Sequence, residues 1–254
     1  VWDRLKWMPI PVHTIPETSD NVLSGKKYCP RYDDEYQKVL SSPEIMKIIN
    51  ENRDVFDYLT ANTGKRVDTL DDLEFVYNTL FIEELYNKTL PAWTRAVYPE
   101  RLEPLAALSF ATPTYNKILQ RLKMGLLIKE IVNHMLAKAN NALIPDRKVW
   151  IYSAHDETVA NLLMSLDLFE LHCPPYAAAV LIELRENFAK EKFVTISYKN
   201  SSEPRLLRLP GCNDACPLEQ FVKLTKNIVP VDWDKECAIS FTNYGVDFKV
   251  STVL

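Results

Sequence analysis

The sequence predicts an α/β protein with a helical block inserted in its early part. Three observations carry this. A short extended segment opens the chain, a long stretch of helix-spaced apolar residues follows, and from Lys148 the pattern turns to strand, helix and further strands. That order suits a sheet-and-helix layer interrupted by an insertion. The 254 residues allow one large domain or two modest ones, at roughly 150 residues per domain.

Residues 4–13 read as extended, and their two prolines, Pro9 and Pro11, suit a sheet edge or a strand end. Residues 14–34 have loop composition. A helix is expected from Ser42, a plausible N-cap, through Pro43 in the first turn to Gly64 just past the end. A second covers about 70–88, with Asp71 and Asp72 where the helix dipole favours anions. The four prolines of 91–113 break that stretch into short helices and turns. From Thr114 to Asn140 one long helix is expected, because Tyr115, Ile118, Leu119, Leu122, Leu126, Ile131 and Met135 recur at three- and four-residue spacing. Residues 148–153 read as a strand, 157–166 as a helix, and 177–186, 192–199 and 204–209 as three strands rich in Val, Ile, Leu and Tyr. Pro217 opens a last helix, to about Asn227.

Composition excludes several classes. Hydrophobic residues at 47% and charged ones at 25% rule out intrinsic disorder. Only 5 glycines argue against a glycine-rich phosphate cradle. The formal charge of −4 gives no electrostatic footprint for nucleic acid, and no run of roughly 18 apolar residues marks a membrane span. Paired acids such as Asp71-Asp72 and Glu83-Glu84 read as helix-dipole partners and solvated faces, so no metal or cofactor is expected.

Two N-x-[ST] triplets, at Asn87 and Asn200, are candidate glycan acceptors if the chain passes through the secretory pathway. Cys212 and Cys216 flank a polar turn closed by Pro217. They read either as half of a zinc site, for which no second ligand pair follows, or as a short-loop disulfide. The triplets favour the disulfide, since they point to an oxidising compartment. Cys29 and Cys237 are then available for a long-range bridge, and Cys173 is left over as a free thiol or an intermolecular link.

One segment looks built for a reaction. An apolar strand ends at Ala154, and His155 and Asp156 come directly before a helix. Ligands of open α/β sheets bind beyond the carboxyl ends of strands, and a helix N-terminus there suits a phosphate. His155 can donate hydrogen bonds to phosphate oxygens, and Asp156 can act as a general acid toward a leaving oxygen. By residue type alone the commoner reading is that Asp156 is an N-cap and His155 satisfies backbone groups. His13, at the end of the first extended segment, is a further candidate for lining the cleft. His134, on the long helix, reads as a boundary residue, and His172, in a Cys-Pro-Pro loop, as exposed.

The wording of the sequence goes further than its residue types. Tyr152-Ser153-Ala154-His155-Asp156-Glu157-Thr158 resembles the His-Asp motif of the histidine acid phosphatases, in their prostatic and lysosomal branch; insect venom acid phosphatases are similar too. The likeness continues in order through Pro9 to Thr14, Cys29-Pro30-Arg31, Thr89 to Trp93, Pro174 to Ala177, Leu209 to Cys212, Cys216-Pro217-Leu218, and Trp233 with Cys237. The resemblance implies an open mixed sheet flanked by helices, phosphoglycerate-mutase-like, from 1–13 and 113–254, with a helical cap domain over 14–112. It implies hydrolysis of small-molecule phosphomonoesters at acid pH through a phosphohistidine. His155 would bind phosphate and Asp156 would protonate the leaving alcohol. It also implies disulfides Cys29–Cys237 and Cys212–Cys216, a secreted or lysosomal location, and a homodimer.

One departure matters. The family's nucleophile stands in an Arg-His-Gly motif, and no Arg-His-Gly occurs here; His13, His134, His155 and His172 are all the histidines present. The expectation is therefore that the nucleophile and the leading strands are missing from these residues, and that this chain alone is inactive. The alternative is a catalytically silent, secreted binding protein of the same fold.

Overall fold

The computed structural model describes residues 11–200 and 203–238. Ten helices are formed among them: α1 (Pro30–Leu40), α2 (Pro43–Glu51), α3 (Arg53–Thr63), α4 (Leu70–Leu85), α5 (Glu103–Ala111), α6 (Lys117–Lys123), α7 (Gly125–Ala139), α8 (Asp156–Ser165), α9 (Leu218–Thr225) and α10 (Trp233–Cys237). Four strands, β1 (Ala179–Glu186), β2 (Lys192–Lys199), β3 (Arg205–Leu207) and β4 (Cys216–Pro217), make one open sheet. β2 pairs with β1, β3 and β4, always antiparallel. Val194, Ile196 and Tyr198 of β2 alternate into the core, the two-residue period of a strand with one buried face.

The described residues bury two large apolar clusters. One joins β2 to Leu127, Ile128 and Val132 of α7, Leu162 and Leu163 of α8, and Phe221 of α9. The other is helical, built on Val55, Phe56, Leu59, Leu70, Leu73 and Leu102, and reaches Leu119 of α6. The sheet is thus flanked by helices, with a helical body beside it.

Helix signals acted where local chemistry supplied them. The Ser42 hydroxyl caps α2 by accepting from the Ile45 N–H, and Gly64 ends α3 at a φ of 71°, where glycine alone carries no steric penalty. Thr69 and Asp72 form a reciprocal capping box at the start of α4.

Four expectations need correction. The helix expected from Ser42 to Gly64 is broken at Asn52, whose side-chain amide donates to the Ile48 carbonyl at 2.9 Å and competes with the helical ladder. The helix expected over 114–140 begins at Lys117 and is interrupted at Met124. Gly125 there lies so close to the Ile228 carbonyl that a Cβ would sit 2.2 Å from it. Residues 30–40, divided in the sequence between loop and unassigned chain, form α1 with Pro30 in its first turn. Residues 148–153 are not a ladder strand among the described residues; a strand needs a partner, and Val149 and Ile151 stand 69% and 80% exposed. Of the extended segment at 4–13, residues 1–10 lie outside the described residues, and 11–13 carry no regular structure.

Two disulfides are formed. Cys29–Cys237 ties the start of α1 to α10, and Cys212–Cys216 closes a short turn. Trp233 packs on the first bridge and donates its indole N–H to the Leu122 carbonyl at 2.8 Å.

Candidate active site

Residues 148–154 run straight into α8 and deliver His155 and Asp156 to its first turn. His155 is the N-cap; its backbone is extended (φ −96°, ψ 165°) and its carbonyl accepts from the Val159 N–H at 3.1 Å. Its imidazole makes no capping bond and faces solvent. Asp156 accepts from the Glu157 N–H at 2.8 Å through one carboxylate oxygen and is also exposed. Both side chains stand open at the positive end of a ten-residue helix, free to meet an anion.

The surroundings come from three further segments. The loop before α1 closes one side. Asp20 accepts from the N–H groups of Val22 and Leu23 at 2.9 Å and of Ser24 at 3.1 Å, and the Leu23 carbonyl then accepts from the Thr158 hydroxyl at 3.1 Å. Glu17, at the start of this loop, is ion-paired with Lys26; that contact, and more weakly the charge of His155, hold its carboxyl below the usual range. α4 supplies a further carboxylate. Glu74 is half-buried there without a hydrogen bond or ion pair among the described residues. Burial first, then the charges of Asp156, Asp71 and Glu157, push its carboxyl up to about 7. Asp71 accepts from the Ser109 hydroxyl of α5 at 2.8 Å, and α5 packs against α8.

The third segment follows α8. Cys173 is a free thiol packed against the helical cluster, and burial, with lesser contributions from neighbouring carboxylates, pushes its thiol up to about 12. The shift disfavours the thiolate, the form that acts as a nucleophile. His172 corrects its expected exposure. Its ring nitrogens lie 2.6 Å from the Glu170 carbonyl and 2.7 Å from the Tyr198 hydroxyl, so the residue is half-buried and structural. His134 stacks on Trp150 with ring centres 4.3 Å apart. His13 is exposed, and no hydrogen bond among the described residues joins it to His155 or Asp156.

The structure therefore brings His155 and Asp156 together, adds Glu74, Glu157 and the Asp20 loop around them, and leaves His13, His134 and His172 apart in bonding. Among the described residues no group of three His, Cys, Asp or Glu side chains is arranged to hold a metal ion. No helix among them is long and apolar enough to cross a membrane.

Comparison with known proteins bears directly on this site. The family model described as histidine phosphatase superfamily (branch 2) matches residues 2–209. The chain is 38% identical over 248 residues to prostatic acid phosphatase of Bos taurus, covering 94% of this chain and 63% of that protein. It is 36% identical to prostatic acid phosphatase of Homo sapiens, covering 97% and 65%, and 34% identical to lysosomal acid phosphatase of Pongo abelii, covering 93% and 57%. It thus spans about three fifths of the length of these relatives.

Proposed function

Because this chain belongs to branch 2 of the histidine phosphatase superfamily, we propose that it forms part of an acid phosphatase hydrolysing small-molecule phosphomonoesters. The observation that carries the reading is the open His155-Asp156 pair at the start of α8, in a chain matched to the family along most of its length. His155 donates to phosphoryl oxygens, supported by the free N–H groups of the helix end. Asp156, next to it, hands a proton to the departing alkoxide.

The attacking group is a histidine forming a covalent phosphohistidine, which replaces one hard displacement with two easier ones. None of the four histidines here stands in an Arg-His-Gly setting, so the nucleophile belongs to residues outside these 254. This chain alone is then expected to show no turnover. We further place the protein in the secretory pathway, secreted or lysosomal. Support comes from the two disulfides, from exposed Asn87 and Asn200 in glycan-acceptor triplets, and from the names of the relatives. A homodimer rests on family resemblance.

The test is hydrolysis of an alkyl phosphate by the full-length protein at about pH 5. Activity that falls when Asp156→Asn is introduced supports the reading. A full-length protein that binds phosphate esters but turns none over makes it a binding protein instead.

A further inference from the structure

The geometry points to Lys123 as a positioning residue that neutralises Glu157 so that the phosphate-binding end of α8 keeps its positive field. This rests on the phosphatase reading of His155 and Asp156. Glu157 follows Asp156 directly, and an unpaired carboxylate there would oppose an incoming phosphate dianion. The Lys123 ammonium sits 2.9 Å from Glu157 Oε1. Its side chain is only 13% exposed.

The pair is held on two flanks. The Lys123 stem packs on Gly25, where an added Cβ would come 3.1 Å from Cδ, and its ammonium lies 5.6 Å from the centre of the Tyr32 ring. Tyr32 is itself pinned by donating to the Pro113 carbonyl at 2.9 Å. On the other flank Glu157 Oε1 accepts from Asn161 Nδ2 at 3.2 Å, and Asn161 Oδ1 accepts from the Thr114 hydroxyl at 2.9 Å. Asn161 and Thr114 are both fully buried. Glu157 is therefore held in one place by a chain of bonds running from α6 and the Thr114 turn, and its charge is offset where it stands. A plain staple would account for the contacts but gives no special role to the sign of the charge.

A double-mutant cycle in the full-length enzyme separates the two. Lys123→Met keeps the stem and removes the charge. Its KM for a phosphomonoester, and its inhibition constant for inorganic phosphate, are expected to rise roughly tenfold, with kcat changed less. Adding Glu157→Gln to that variant removes the stray carboxylate and is expected to bring both constants back toward wild type. Lys123→Arg, which keeps the charge, is expected to stay near wild type, and serves as the readout if Lys123→Met does not fold. A double variant no better than Lys123→Met, a Lys123→Met enzyme with unchanged KM, or a Lys123→Arg enzyme with the full tenfold loss overturns the inference. A wild-type protein without phosphatase activity sinks the underlying reading, and this inference with it.

Discussion

Glu74 is the residue whose environment asks most of it. Its carboxyl titrates at about 7 in the folded protein, against 4.5 for a free glutamate, because burial and three neighbouring carboxylates disfavour its charge. Between those two values the folded state holds a proton that the unfolded state has released. Stability from this group therefore falls as pH rises from about 4.5 to about 7, and is level on either side. Glu74→Gln is expected to flatten that slope and raise the melting temperature at neutral pH relative to the parent; a parallel shift of the melting curves at all pH values would contradict it. His155 and Asp156 were legible in the sequence because strand end and helix start are adjacent in the chain. Glu74 and Lys123 were not. They reach the site only through the packing of α4, α5 and α6, and neither carries a local motif.

Elements were legible where side chains acted locally. The caps at Ser42 and Gly64 and the Val-, Ile- and Leu-rich runs of β1 and β2 are local signals, and their bounds hold within a few residues. Breaks caused by distant contacts were not. The apolar stripe continues unbroken through Met124, yet the helix stops there because the 228–230 turn comes down on Gly125. Gly125→Ala puts a methyl 2.2 Å from the Ile228 carbonyl and 2.7 Å from Pro230 Cδ, so one side must move. A loss of about 1–3 kcal/mol in urea unfolding is expected; an unchanged midpoint would mean that the turn yields freely. The segment 148–154 shows the opposite failure. Its composition is that of a buried strand, but sequence pattern cannot state whether a ladder partner is present.

At the scale of the whole molecule, the two disulfides differ in reach. Cys29–Cys237 spans 208 residues and Cys212–Cys216 only 4. In the chain-entropy picture the first restricts the unfolded chain by about 5 kcal/mol and the second by about 2 kcal/mol. Replacing Cys29 and Cys237 together is thus expected to lower the melting temperature more than replacing Cys212 and Cys216; the reverse order would show that native packing, not loop closure, sets the difference. The long bridge also carries Trp233 against α6, the helix that ends in Lys123, and so links overall stability to the site. The central claim is that Asp156 delivers the proton to the leaving group. It is tested most directly by comparing an alkyl phosphate with an aryl phosphate in the full-length enzyme and its Asp156→Asn variant. An alkoxide needs that proton and a stabilised phenolate hardly does. The variant is predicted to lose about 10²- to 10⁴-fold in kcat on the alkyl ester and far less on the aryl ester. Equal losses on both esters, or none on the alkyl ester, would contradict the account.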